Sequence, residues 1–372
     1  MRFCQLWSAL VASLTVAIVV HAAGPAAFPD KDKWTTIDPP AVEIEVKAKD
    51  GTLSKQAGAI SNIAIDRQTG SVLAFVNGAG LFRSGDQGKT WGKMLESKGA
   101  CASTYSLLVD PLDGARIFCL LTGAPSALTL DGGKSWIEVK HNNWAGVVAW
   151  NDPEAKTLLA RASGHETWKI STDQGKTWAG IAAKQVQWTF TVGLFDAKTI
   201  IGVNDAIYRS DDSGGTFAKV GEGKSRGYQI CPMVAVKDHG YVLVGVAPPT
   251  PAGAPAPKQP PLTPALAVSL DKGATWNVLP TPKEITSPYI GPFIGKSEQQ
   301  IILASAAAGF FESNDGGKTW AKVIGMPLAI HDIGGNMNHG DNGTCGYDPK
   351  NDTFYVCSRG NPVYRYQRKA VP

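Results

Sequence analysis

The side chains best suited to chemistry in this sequence are a few carboxylates and histidines set in polar stretches between apolar runs. Glu166, Asp205, His331 and Asp341 are the catalytic candidates; glycoside hydrolysis needs two carboxyl groups across a cleft, for which Glu166, Asp205, Asp332 and Asp341 are available from different repeats. The densest polar stretch, residues 329–344, adds Asp332, Asn336, Asn338 and His339. A second set suits holding a ligand: Trp144, Trp188, Tyr228 and Tyr289 offer flat amphipathic faces for sugar rings, with His141, Arg226, Arg359 and His339 as polar partners. A uronate lyase would draw on His141, His165, Tyr228 and Arg226, the arginine neutralising the uronate. The spacing of His331, His339 and Asp341 matches no established ligand pattern, and no Cys/His pairs are spaced for zinc, so neither metal nor cofactor is expected.

These residues lie far apart along the chain, so a scaffold must bring them together, and that scaffold is written in a repeat. The pattern Ser/Thr-x-Asp-x-Gly-x-Thr/Ser-Trp/Phe occurs as SGDQGKTW, TLDGGKSW, STDQGKTW, SDDSGGTF, SLDKGATW and SNDGGKTW. Its aspartates are Asp86, Asp131, Asp173, Asp212, Asp271 and Asp315. In such a turn the carboxylate accepts backbone N–H groups, the glycine takes a backbone conformation closed to other residues, and the aromatic packs below. Equivalent aspartates spread evenly through the chain are scaffold, not catalysts.

Around the first copy, SNIAID, SVLAFV and GLFRS precede the turn and GKTWGKML follows it, which reads as four short strands with the turn between the third and fourth. Four strands per repeat, recurring at roughly 40–45 residues, is the interval of propeller blades. The interval between Asp212 and Asp271 is longer because it holds a Pro-rich insertion, residues 248–264. After the last copy, GTCGYDP, DTFYVCS and PVYRYQ supply three more strands, and KDKWTTI near the N-terminus matches the strand that follows each turn. The expectation is an all-β, seven-bladed β-propeller closed by an N-terminal strand that completes the C-terminal blade.

The repeats resemble the Asp-box, or bacterial neuraminidase, repeats of sialidases, xyloglucanases, sortilin-type receptors and photosystem II assembly factors. The resemblance spans nearly all of the chain after residue 23 and implies the architecture without selecting a chemistry. It also implies that the Asp-box turns occupy one face, while the loops entering each first strand open on the other, around the central channel. On that second face fall Trp144, Trp188, Tyr228 and Tyr289, together with four of the histidines, His141, His165, His331 and His339. Sialidase activity is not expected. The nearest approach to the sialidase Phe/Tyr-Arg-Ile-Pro motif is Phe82-Arg83-Ser84-Gly85, where Arg83 reads as a solvent-facing strand residue, and no arginine trio is evident.

Composition narrows the partners. The formal net charge is +4 with no basic cluster, which gives nucleic-acid binding no electrostatic support. Residues 1–23 read as a secretory signal, with Arg2, an apolar stretch from about Leu6 to Val20 and small residues Ala22 and Ala23. A retained N-terminal anchor is the alternative. Export leaves residues 24–372 as a single secreted or periplasmic domain, expected to be monomeric and without a membrane span. In that compartment Cys345 and Cys357, flanking the turn-like DPKND, are the favoured disulfide; the pairing of Cys101, Cys119 and Cys231 stays open. The functional expectation is a binding module for a glycan or an extracytoplasmic protein at the channel mouth. A glycoside hydrolase or uronate lyase is the rival reading.

Overall fold

The computed structural model describes residues 33–47, 50–101, 106–140, 145–161, 167–186, 189, 191–225, 233–247, 262–285, 289–327, 332–333, 342–358 and 362–368. Their strands form seven radial sheets, the blades of a β-propeller, antiparallel except where Asp332–Ile333 joins Asn342–Asp348 in parallel. The sequence pattern explains the layering. Second strands such as Ser71–Val76, Ile200–Val203 and Ile301–Ser305 are apolar but for a terminal serine in two of them, and are buried along their whole length, because a neighbouring blade covers each face. Fourth strands such as Gly92–Glu96 are polar and lie on the exposed rim. The first strands, Ile60–Asp66, Leu107–Asp110, Ala145–Val148, Thr191–Leu194, Val234–Val236, Tyr289–Ile294 and Asn342–Asp348, stand around the central channel.

Each Asp-box turn is a closed hydrogen-bonding unit. In the first, Ser84 Oγ donates to Asp86 Oδ1 at 2.8 Å, and Thr90 donates its N–H at 2.9 Å and its hydroxyl at 2.6 Å to the same carboxylate. The Gly88 N–H returns to Ser84 Oγ at 2.7 Å. The same set recurs at Asp131, Asp173, Asp212, Asp271 and Asp315. These bonds favour the ionised form. Hydrogen bonds from Thr90 and Ser84 hold Asp86 down at about 2, and Asp131, Asp173, Asp212 and Asp315 lie equally low. At Asp271 burial opposes the hydrogen bonds of Thr275 and Ser269, yet the value is still lowered.

The box glycine also docks each blade on the one before it. Gly88 has φ 91°, and a Cβ there would sit 2.5 Å from Ile37 Cδ1, on the strand preceding its blade in the ring. Gly175 stands in the same relation to Val139, as does Gly273 to Ile201.

Ring closure follows the expected route. Thr35–Ile37 pairs antiparallel with Val363–Gln367 as the fourth strand of blade 7, with Ile37 opposite Val363. Trp34 anchors it: the ring is buried, stacks 5.8 Å from Tyr366 and 6.1 Å from Phe310, and donates Nε1–H to Gly325 O at 3.0 Å. An element the repeat pattern did not announce follows closure, a hairpin of Glu43–Lys47 and Leu53–Ala57 between blades 7 and 1. The insertion lies between His239–Val246 and Thr263–Ser269, the second and third strands of blade 5; residues 248–261 of it fall outside the described residues.

The expected Cys345–Cys357 disulfide is corrected by the strand register. Cys345 faces Val356 and Cys357 faces Thr344, so the two thiols alternate to opposite faces of one sheet. Cys345 packs with Trp34 and Phe310, and Cys357 with Ile60 and Val363 on the other side. Both are free thiols, and burial drives Cys357 up to about 12 and Cys345 up as well. Ala100–Cys101 pairs with Leu121–Thr122 and packs Cys101 against the apolar cluster that contains Cys119.

Candidate functional site

The cavity at the centre of the ring encloses about 580 Å³, within the range of small-molecule sites. Apolar side chains from the first strands, among them Ile63, Leu107, Val148, Leu194 and Ile290, form its wall. Among the described residues its charged groups, Arg67, Asp110, Asp113, Arg116 and Lys237, gather at one mouth, where first strands turn into second strands, on the face that carries the Asp-box turns.

Local chemistry builds that mouth. An aspartate at the end of a first strand caps the following turn with its carboxylate: Asp66 accepts from the Gln68 N–H at 3.0 Å, Asp110 from Leu112 at 2.8 Å and Asp348 from Lys350 at 2.9 Å. Asp152 and Asp196 cap the equivalent turns of blades 3 and 4. Arginines then fasten blade to blade. Arg83 pairs with the buried Asp66 at 2.6 Å and reaches Gly114 O of blade 2, so it is an inter-blade strap and not the solvent-facing residue expected from the sequence. Arg116 pairs with Asp110 at 2.7 Å, donates to the Trp150 and Asp152 carbonyls of blade 3, and stacks on the Trp150 ring at 5.4 Å. Burial raises the Asp110 carboxyl, and the Leu112 N–H and Arg116 oppose it.

Arg67 is bound differently. It projects from the first turn of blade 1 and donates to Pro111 O of blade 2 at 3.3 Å and to Gly295 O of blade 6 at 2.5 Å. It therefore crosses the mouth, held by neutral carbonyls, and burial lowers its basicity while Glu298 opposes that effect. Glu298 is itself engaged by Lys237 at 3.8 Å and His239 at 3.4 Å. Tyr241 donates to the Glu298 carbonyl at 2.9 Å, and burial first, then the Glu298 charge, pushes its hydroxyl up to about 12.

Of the residues proposed from sequence, Asp205 is described, on the exposed hairpin between the second and third strands of blade 4. It accepts the Tyr208 hydroxyl at 2.8 Å and does not line the cavity. Tyr289 is described in its backbone, paired with Ser305. His141, Trp144, Glu166, Trp188, Arg226, Tyr228, His331, His339, Asp341 and Arg359 lie outside the described residues. Sequence reasoning missed Arg67, Asp110, Arg116 and Trp150. A signal existed: DRQTG, DPLDG, DPEAKT, DAKT and DPKNDT all open with the capping aspartate where a first strand ends. Among the described residues no group of three His, Cys, Asp or Glu side chains is arranged to hold a metal.

No protein-family model and no curated protein matches the chain. Solved structures do match its shape. The GH74 enzyme of Niastella koreensis superposes over 90% of this chain at 18% identity with a TM-score of 0.53, and an ancestral GH74 enzyme over 91% at 16% identity with a TM-score of 0.50. A chain of Kuenenia stuttgartiensis hydrazine synthase superposes over 85% at 12% identity with a TM-score of 0.52. The chain spans about half the length of the GH74 enzymes, 53% and 46%, and 97% of the hydrazine synthase chain. At these identities the likeness is one of fold.

Proposed function

We propose that this chain is an exported propeller that binds a glycan or a polypeptide at the channel mouth opposite its Asp-box turns. The observation that carries the reading is the closure of the Asp-box mouth. Arg67 crosses it, and the carboxylates beside it are already engaged, Asp66 by Arg83 and Asp110 by Arg116. A bulky ligand approaching the axis therefore meets a strapped face on one side. The other side is the one to which the sequence assigns Trp144, Trp188 and Tyr228 as stacking faces and Arg226 and Arg359 as polar partners. In this reading residues 1–23 direct export and are removed, so the exported protein begins near Gly24 by N-terminal sequencing.

The test is a broad glycan array probed with the purified protein, with reducing-sugar and uronate-lyase assays on every hit. Saturable binding without turnover, lost in Trp144→Ala, Trp188→Ala or Tyr228→Ala, is the expected result. Turnover replaces the proposal with a carbohydrate-active enzyme and makes Glu166→Gln, Asp205→Asn, His331→Ala and Asp341→Asn the first variants. A blank array removes the glycan half and leaves a polypeptide partner, sought by cross-linking in the exported fraction.

A further inference from the structure

The central cavity and a smaller hollow outside the Asp-box mouth share Arg67, Pro111 and Leu112, so Arg67 is the partition between them. The outer hollow, about 400 Å³, is lined among the described residues by Arg67, Lys296 and Lys350 and by no acidic side chain; Leu112 adds an exposed apolar surface. Among the described lining residues Arg116 is paired with Asp110 and Lys237 with Glu298, which leaves Arg67, Lys296 and Lys350 as the cations of the collar, beside Asp113. The result is an apolar shaft with a cationic collar at one end.

We propose that this shaft and collar form a binding site for an amphipathic carboxylate, an unbranched apolar chain lying along the channel with its anionic head on Arg67. Three features favour that ligand class. The shaft wall supplies apolar surface from blades all around the ring, which rewards a slender apolar chain and offers little to a polar one. Arg67 holds a full positive charge half-buried against two neutral carbonyls, so a carboxylate that displaces Pro111 O and Gly295 O exchanges neutral acceptors for a charge-assisted pair. Lys296 and Lys350 flank the same spot, while Glu298, the nearby acid, is occupied by Lys237 and His239. Neighbouring Arg116 does not compete for the head group, because Asp110 and the two blade 3 carbonyls already engage it.

The experiment is calorimetric titration of the purified protein with decanoate, decanol and decyltrimethylammonium, which share a tail and differ in head charge, the two ions below their micelle concentrations and decanol below its solubility limit. The proposal expects saturable binding of one decanoate, roughly tenfold tighter than decanol and tighter still than the cation. Arg67→Ala should bring decanoate down to the decanol value while leaving decanol unchanged, and Arg67→Lys should keep part of the preference. Equal affinity for the three heads, no saturable binding of decanoate, or an unchanged preference in Arg67→Ala each overturns it. The comparison of head groups in the parent protein decides the matter even if Arg67→Ala folds poorly.

Discussion

In each Asp-box turn a carboxylate is satisfied within eight residues of chain, Asp86 by Ser84 and Thr90, whereas the third strand of blade 7 is followed by Arg368, whose partners lie 16 and 56 residues away. Arg368 grips Asp352 of its own blade and Glu312 of blade 6, at 2.7 Å to each, and its guanidinium lies 5.4 Å from the centre of the Phe354 ring. Both arrangements tie down the end of a third strand. The box does so with short-range bonds that form as soon as the turn forms; the seventh blade needs two blades already assembled. Box turns should therefore yield small, separable losses, and the closure residues large, cooperative ones.

The largest expected effect is at Trp34. Trp34→Ala removes a buried ring that touches Phe310 and Tyr366 and a hydrogen bond to Gly325, at a cost of about 3–5 kcal/mol read from urea midpoints. If it costs no more than Trp320→Ala in an ordinary box, whose indole bonds to its own Gly317 O at 3.1 Å, the contrast between closure and box collapses. Next comes Arg368→Ala, which leaves Glu312, 9% exposed in its side chain, without its cation. Because Arg368 is 26% exposed, the range for a fully buried pair is discounted to about 2 kcal/mol. A double-mutant cycle with Glu312→Gln should show coupling of about 1 kcal/mol, and additivity would reduce the pair to a surface contact.

Gly88→Ala sharpens the comparison from the box side. It meets an unfavourable φ of 91° and a Cβ 2.5 Å from Ile37, so a loss of about 1–3 kcal/mol is expected. Combining it with Ile37→Ala should relieve the clash and leave the backbone cost. The smallest single effect belongs to Asp86→Asn, since its carboxylate is half-exposed and bonded only within its own turn. Its signature is in pH. A carboxyl lowered from 3.8 to about 2 on folding contributes stability that is complete above pH 3.8 and is lost as pH falls through about 2. Urea midpoints at pH 5 and pH 2.5 should therefore differ less in Asp86→Asn than in the parent, and equal differences would strip the carboxylate of that role.

The fold was legible because its evidence is local and repeated. SGDQGKTW carries every group its turn needs, and SVLAFV declares a strand covered on both faces. The closing strand was legible too, since KDKWTTI copies a strand that follows a box. The candidate site was less so. A carboxylate in DPLDG looks the same whether it caps a turn or faces a ligand, and the structure shows Asp110 capping a turn and pairing with Arg116 of the next strand. Arg83 looked solvent-facing because the neighbouring blade that supplies Gly114 O is invisible along the chain.

The sequence by itself determined the number of blades, the turns between their outer strands and the strand that shuts the ring, because short-range hydrogen bonding and apolar alternation specify each of these within about 40 residues. Only the tertiary structure decided that Cys345 and Cys357 face apart, and that Arg67 reaches from blade 1 to blade 6 across the channel. Those outcomes depend on strand register, where one residue reverses a side chain's face, and on the curvature of a closed ring, which brings together groups that no local pattern relates.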